Sequence, residues 1–599
     1  MCGIFALLNN TRFTDNMINT QFEKGKNRGP EYSTLVKYLK VQLGFHRLAI
    51  NGLNEKSNQP ITIDDIILIC NGEIYNYKEL YKEVNVTPET DSDCEIIIHL
   101  YKRYGIEQTL QMLDGVFAFV LLDNSLTDDL INRMYVARDT YGVCPLYYFK
   151  DDTTNVDIKD SYNSNSYGIY KNNTNITNIH GFASELKCLS NIFNILYETN
   201  SSVSLEQFKP STYSVFHLSS KVNSLWELIV ENKPYIIPGF SYSHSPFLYQ
   251  KIHVEDICKN IAMYLINAVE KRCLTTERPI ACLLSGGLDS SLITALVNEY
   301  YKKNNFTTPL ETYSIGLEGS EDIKYAKIVA NYLGTKHTEI IVTEEEMFSV
   351  IPEVIHKIES YDTTSVRASI GNYLLGKYIA KHSDAKVIFN GDGSDELCGG
   401  YLYMNKCADS IEFDKETRRL LSDIHFFDVL RSDKSISSNG LEPRTPFLDR
   451  SFVNYYLSIP ADIRFHMNHG KPEKYLLRKS FEFYHFQFSA GKQLLPNEIL
   501  WRKKEAFSDG VSSHTRSLFE ILQDKIIEKI SSDKNEVENF IKITSMTKVD
   551  IEKLFYYSNF QKFFPNLQSV LPYYWMPKYS NTNDPSARTL EIYEKQEKQ

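Results

Sequence analysis

The sequence predicts an α/β domain with a parallel sheet and helices on both faces, preceded by a separate α+β domain. Three observations carry this. At 599 residues the chain is too long for one hydrophobic core, so two or more domains are required. From Val254 onward, apolar runs of strand length alternate with amphipathic runs of helix length, the pattern of a parallel sheet. Twice, at 279–291 and 387–396, a short apolar run breaks into glycines and small polar residues, where the carboxyl ends of parallel strands hold ligands.

Bulk properties exclude several classes. A net charge of -11, with no cluster of lysine or arginine, offers no face for nucleic acid. The longest unbroken apolar run, 116–122, is far short of a membrane span, and no basic-then-apolar leader follows Met1. The expectation is a soluble, cytoplasmic protein. Ten cysteines without a CxxC pair read as free thiols in a reducing compartment.

One of them, Cys2, is placed for chemistry. Removal of Met1 would leave it with a free α-amine, which titrates near pH ~8 and can take the thiol proton. After MCGIFALL at 1–8 come NRGPEY at 27–32, GFHRLAI at 44–50, NGEIYNY at 71–77 and DSDCEIIIHLY at 91–101. As an ordered set these resemble a class II glutamine amidotransferase. The resemblance implies a glutaminase of the N-terminal nucleophile hydrolase type, built from stacked antiparallel sheets. It also implies that the Cys2 thiolate attacks the side-chain amide of glutamine while Asn71 and Gly72 form the oxyanion hole, one such donor being worth about 3 to 4 kcal/mol. Arg47 would grip the α-carboxylate of glutamine bidentately, within a wall of Leu48, Ala49, Ile50 and Asn51, and Glu73 and Asp93 would take its α-ammonium. Taken singly, Arg47 also reads as a surface ion pair and Asp93 as a helix cap. The ordered set is what points to chemistry.

The apolar stretches at 113–121 and 137–147 read as scaffold strands around tight turns. Between 151 and 180 the chain turns to Asn, Asp, Ser, Thr and Tyr without period, which reads as a solvated insertion. GFASELK at 181–187 resembles the closing strand and helix of the same family. The expected divisions are a glutaminase domain over 2–214, a linker over 215–250, a synthetase domain over 251–574 and a tail over 575–599.

In the second domain Ile280 to Leu284 are all apolar and bounded by Pro279 and Gly286, a strand buried on both faces. Leu288, Leu292, Ile293, Leu296, Val297 and Tyr300 then recur at helical spacing. Further strands are expected at 310–317 and 337–342, with a helix at 323–333 between them. The amides opening the first helix suit an anion, and Gly286 and Gly287 let it approach. Asp289 would repel phosphate unless a cation lay between, so magnesium is implied. SGGLDS at 285–290 resembles the loop of the ATP pyrophosphatases, which split ATP between its α and β phosphates. The second loop, NGDGSDE at 390–396, adds three carboxylates to the same crevice.

With YDTTSVRAS at 361–369, EPRTPFLD at 442–449, WRKKEAFSDG at 501–510 and the tail from YWMPK at 574–578 to NDPSARTL at 583–590, nearly the whole chain resembles the glutamine-hydrolysing asparagine synthetases, the animal-type branch most of all. The resemblance implies that the β-carboxylate of aspartate attacks the α-phosphorus of ATP, pyrophosphate leaves, and ammonia displaces AMP. Leu283, Ser285, Gly286, Gly287, Asp289, Ser290, Ile315, Asn390 and Gly391 would border ATP, and Asp289 and Asp395 would hold Mg2+. Lys504 would neutralise phosphate charge, Asp392 would take part in the chemistry, and Thr364 and Arg367 would seat aspartate. Three positions depart from the animal-type pattern: Asn390-Gly391-Asp392 stands for Ser-Gly-Glu, Ser365 for threonine and Asn27 for histidine. Small-molecule partners are implied, L-aspartate, L-glutamine and ATP, and a homodimer is compatible. The competing readings are a β-lactam-synthetase-like enzyme, against which the intact Cys2, Arg47, Asn71 and Asp93 speak, a non-catalytic scaffold or metabolite sensor, against which Asp289, Asp395 and Lys504 speak, and another ATP pyrophosphatase amidotransferase or a transfer-RNA-modifying pyrophosphatase, the last disfavoured by the acidic balance.

Overall fold

The structure, a computed structural model, describes residues 1–125, 131–151, 178–199, 202–221, 223–236, 253–483, 493–504, 510–512, 516–532 and 546–590. The chain divides into two compact units, Met1–Ile236 with Phe564–Val570, and Ile237–Phe563 with Leu571–Gln599.

The first unit holds two six-stranded antiparallel sheets. One runs from edge to edge as Val203–Gln207, Tyr147–Asp151, His180–Ala183, Gly3–Leu8, Val41–Arg47 and Tyr32–Tyr38. The other runs Glu227–Pro234, Thr212–Ser219, Ile131–Arg138, Gly115–Asp123, Ile66–Ile74 and Ile61–Ile63. Strand alternation sorts the second sheet's residues. Leu68, Cys70, Phe117, Phe119 and Leu121 pack on Ile97, Leu100 and Leu110 of the helix Ile96–Met112. Ile67, Ile69 and Asn71 therefore face the other way, toward Gly3–Leu8 and Val41–Arg47 of the first sheet.

The boundary expected at 214 shifts. Thr212–Ser219 continues through Ser214 and pairs on both sides, so this unit reaches Ile236 and takes in the first part of the expected linker. Alternating polar and apolar residues on a sheet edge look like linker when the partner strand is out of view. The insertion expected at 151–180 lies outside the described residues apart from Asp151 and 178–180, as does 237–250 of the linker.

The second unit is built on a five-stranded parallel sheet in the order Lys336–Ile341, Glu311–Gly316, Ile280–Leu283, Val387–Phe389, Glu442–Arg444. Ala281, Leu283, Tyr313, Ile315 and Ile388 pack on Leu375 and Ile379 of the helix Thr363–His382 and on Ile436 of the helix Asp428–Ser437. The opposite face is covered by Leu288–Lys303, whose Thr294 meets Cys282. Helices thus lie on both faces, as the strand burial predicted. The expected tail is part of this unit, with Trp575 buried.

Candidate functional site

In the first unit, Cys2 precedes the strand Gly3–Leu8, and its Sγ lies 3.6 Å from the Leu48 carbonyl. Its own carbonyl accepts a 2.8 Å bond from Arg28 Nε, and Arg28 Nη1 pairs with Glu185 at 2.9 Å. Lys187 closes on the same carboxylate. The RGP and SELK motifs therefore clamp the backbone that carries the thiol, a role their sequence did not disclose. His46 is no base for it. Its ring stacks on Phe22 at 3.8 Å, its nitrogens face Ser33 Oγ and the Phe22 carbonyl, and burial holds its pKa below the ordinary value.

Asn71 is wholly buried, and neither its Oδ1 nor its Nδ2 has a hydrogen-bond partner among the described residues. An orphaned buried amide costs about 1 to 3 kcal/mol, and this one keeps its donors and its acceptor open to a ligand or water. Asp93 Oδ2 accepts the Ile74 amide at 2.6 Å, and Glu73 Oε2 accepts Asn51 Nδ2 at 2.7 Å. Arg47 is buried in its own loop. It donates to the Asn54 carbonyl at 2.9 Å, to Asn58 Oδ1 at 2.7 Å and to the carbonyls of Asn51 and Gly52.

In the second unit the loops after Leu283 and Phe389 line one cavity together with Ile315. Of the residues expected there, Leu283, Ser285, Gly287, Asp289, Ser290, Ile315, Thr364, Asn390, Gly391, Asp392, Asp395 and Lys504 line it. Gly286 and Arg367 do not. Gly286 makes the turn: its φ is +73°, and a Cβ there would lie 2.4 Å from the Ala326 nitrogen. Arg367 donates to Glu552 and Asp584 instead, at 2.5 to 2.8 Å.

One residue lining the cavity was not singled out by the sequence. Lys474 Nζ lies 2.6 Å from Asp289 Oδ2 and 2.5 Å from Asp395 Oδ1, while Lys504 Nζ is 2.6 Å from Asp395 Oδ2. Lys474 holds a left-handed φ of +56°, a strained setting for a lysine and of the kind found at functional sites. Gly400 makes room for it, since a Cβ there would sit 2.0 Å from Lys474 Cε. Burial pushes the Asp395 carboxyl up, but Lys474 and Lys504 outweigh it and hold the group well below the usual carboxylate range. Two carboxylates thus face one space lined by two lysines. Among the described residues no group of three or more His, Cys, Asp or Glu could hold a metal unaided. That donor set suits Mg2+, which takes one or two carboxylates and completes its shell from phosphate and water.

A second polar group lies along the same wall. Arg431 donates to Asp428 at 2.6 Å and to Asp392 at 3.3 Å, and Tyr401 OH donates to Glu396 and lies 3.4 Å from Asp428 Oδ2. Burial, with Asp428 beside it, pushes the Glu396 carboxyl well above its ordinary value. Thr364 Oγ1 faces this wall without a hydrogen-bond partner among the described residues. Arg502 pairs with Asp322 at 3.2 Å and lies over the Tyr325 ring at 3.9 Å, which anchors the stretch that delivers Lys504. Nothing local marked Lys474, Arg431 or Asp428: each sits in an ordinary polar helical or turn sequence.

Comparison with known proteins follows the same division. The family described as glutamine amidotransferase domain matches residues 1–227, and the family described as asparagine synthase matches 260–412 and 406–583. Proteins named asparagine synthetase [glutamine-hydrolyzing] are similar along the full length. That of Gallus gallus is 40% identical over 99% of this chain and 99% of its own, that of Bos taurus 39% and that of Homo sapiens 38%, with the same coverage.

Proposed function

We propose that this chain, which belongs to the glutamine-hydrolysing asparagine synthetases, makes L-asparagine by two reactions on the residues described above. Glutamine-dependent asparagine synthesis is its activity, with ATP as substrate.

In the first reaction the α-amine of Cys2, freed by loss of Met1, takes the thiol proton, and the thiolate attacks the amide carbon of glutamine. The orphaned Asn71 amide supports the reading that Nδ2 donates to the oxyanion, beside the Gly72 amide. Ammonia leaves, and water cleaves the thioester to glutamate. Arg28 keeps the nucleophile's backbone in place, and the Arg47 and Asp93 neighbourhoods receive the amino-acid ends of glutamine.

In the second, the β-carboxylate of aspartate attacks the α-phosphorus and pyrophosphate departs toward Lys474 and Lys504. Ammonia then attacks the acyl carbon, AMP leaves, and Asp392 accepts the proton that the nitrogen must lose. Asp289 and Asp395 would hold Mg2+, which supplies charge neutralisation at the phosphate oxygens. Thr364 offers to aspartate a hydroxyl that has no hydrogen-bond partner among the described residues. The observation that carries this reading is the pair of carboxylates from two separate glycine loops meeting two lysines in one cavity, chemistry fitted to a polyphosphate and its cation. We place the reaction in the cytoplasm.

Aspartate, ATP, Mg2+ and glutamine supplied together, with asparagine, glutamate, AMP and pyrophosphate counted, test it. Equal amounts of all four are expected. ADP in place of AMP would overturn the adenylate route.

A further inference from the structure

The helix Thr363–His382 turns Thr364, Ala368, Asn372 and Leu375 to the cavity. Its first turn is held from behind. Asp362, wholly buried, caps it by accepting the Ser365 amide at 2.8 Å and also accepts the Trp575 amide at 2.8 Å. One turn on, Arg367 Nε and Nη2 bind Glu552 of the helix Lys548–Phe563, and Nη1 and Nη2 bind Asp584 at 2.8 Å. Gln523 Nε2 bridges both carboxylates at 3.0 Å, and Tyr556 OH donates to Glu552 at 2.8 Å. Asp584 is itself set by the Ser586 amide at 2.8 Å.

Arg367, Glu552, Asp584, Gln523 and Tyr556 are all buried. A guanidinium has five N–H donors, and these bonds use four of them in two forks. It has no fork left for a substrate carboxylate. A buried network of this kind is costly to break, because each partner left behind is an uncompensated charge. The segment that follows Val570 thus holds the helix at two points nine residues apart in its own sequence, Trp575 on the capping Asp362 and Asp584 on Arg367 one turn further on.

We infer that the segment 571–590 is a strap that fixes the aspartate side of the cavity, and that Arg367 is a positioning residue acting through Asp584 and Glu552. The inference rests on the proposed function, since the cavity wall matters only where aspartate and ATP react there. Arg367 sets where Thr364 stands, and the strap sets Arg367.

The test uses full-length Arg367→Lys, Asp584→Asn and the double variant, with ammonia as nitrogen source. Both single variants are expected to lower the synthetase kcat by a similar factor, up to about 100-fold for a displacement near 1 Å, and the double variant to be no worse than the weaker single. Glutaminase rates of the same preparations should stay parental. If Asp584→Asn lowers those too, Gln523→Leu, which removes only the two 3.0 Å bonds, takes its place in the comparison. Parental synthesis by Asp584→Asn, beside a raised aspartate KM in Arg367→Lys, would overturn the inference, because it makes Arg367 a ligand. A parental protein that forms no asparagine from ammonia counts against the proposed function alone. The strap then reads out as amide exchange at 363–368, about tenfold or more faster in Asp584→Asn, and unchanged exchange there overturns it.

Discussion

Lys474 Nζ lies 2.6 Å from Asp289 Oδ2, a contact made across 185 positions of sequence. It is the point at which the first glycine loop, the second loop through Asp395 and the turn before the helix Tyr475–Phe483 are tied together. Burial alone would lower the Lys474 pKa, and the two carboxylates raise it instead.

Lys474→Met should remove ATP-dependent synthesis and leave glutamine hydrolysis at the parental rate. It also removes the lysine partner of Asp289, while Asp395 keeps Lys504, at a cost of about 3 kcal/mol to the second unit. Calorimetry and the two assays check both halves. Substantial synthesis in this variant would mean that Lys504 suffices.

Cys2→Ala should separate the two reactions. Glutamine-dependent synthesis falls to background because the oxyanion donors stabilise an attack that no longer occurs. Ammonia, supplied at a pH where free NH3 is present, should still give asparagine at close to the parental ammonia-dependent rate. Equal loss of both activities would contradict two independent sites.

Asn71→Ala should lower glutaminase kcat by about 100- to 1000-fold, the loss of one oxyanion donor. Because Asn71 has no partner among the described residues to leave unsatisfied, its removal should not lower the unfolding temperature. A drop in temperature with kcat unchanged would make it a packing residue.

Asp392→Asn keeps the shape of the loop and removes the proton acceptor, so ammonia-dependent synthesis should fall while pyrophosphate release from ATP and aspartate continues. Rapid-quench measurement of the two products separates the steps. An unchanged rate of asparagine formation would exclude Asp392 as the base.

Asp362 predicts a pH dependence. Burial raises its carboxyl from 3.8 to about 6, against the hydrogen bonds from the Ser365 and Trp575 amides. The folded state therefore holds the proton more tightly than the unfolded one. The resulting stability is fully present below about pH 4 and is lost as pH rises through about 6, by about 3 kcal/mol at ~1.4 kcal/mol per pH unit. Asp362→Asn cannot titrate, so its unfolding temperature should fall less than the parent's between pH 4 and 7. Parallel curves would show that Asp362 keeps its ordinary value.

Much of this was legible in order along the chain. The strand, turn and helix from Ile280 to Lys303 are contiguous, so apolar run, glycines and helical period sit in one window, and the same holds for the loop that carries Asp392 and Asp395. The glutamine amidotransferase family was legible from an ordered set of short motifs, those that carry Cys2, Asn71 and Asp93 among them. The first unit's extent was not, because the strands Thr212–Ser219 and Glu227–Pro234 make sense only beside partners far back in sequence.

The sequence by itself determined the two classes of domain and where both glycine loops with their carboxylates fall, because an apolar run, its glycines and the helix that follows are contiguous in the chain. Only the tertiary structure decided that Lys474 stands between Asp289 and Asp395, that Arg431 meets Asp392, and that Arg367 is bound by Glu552 and Asp584. Whether a lysine or arginine is solvated or buried against a carboxylate depends on which distant segments fold over it, and no local period records that.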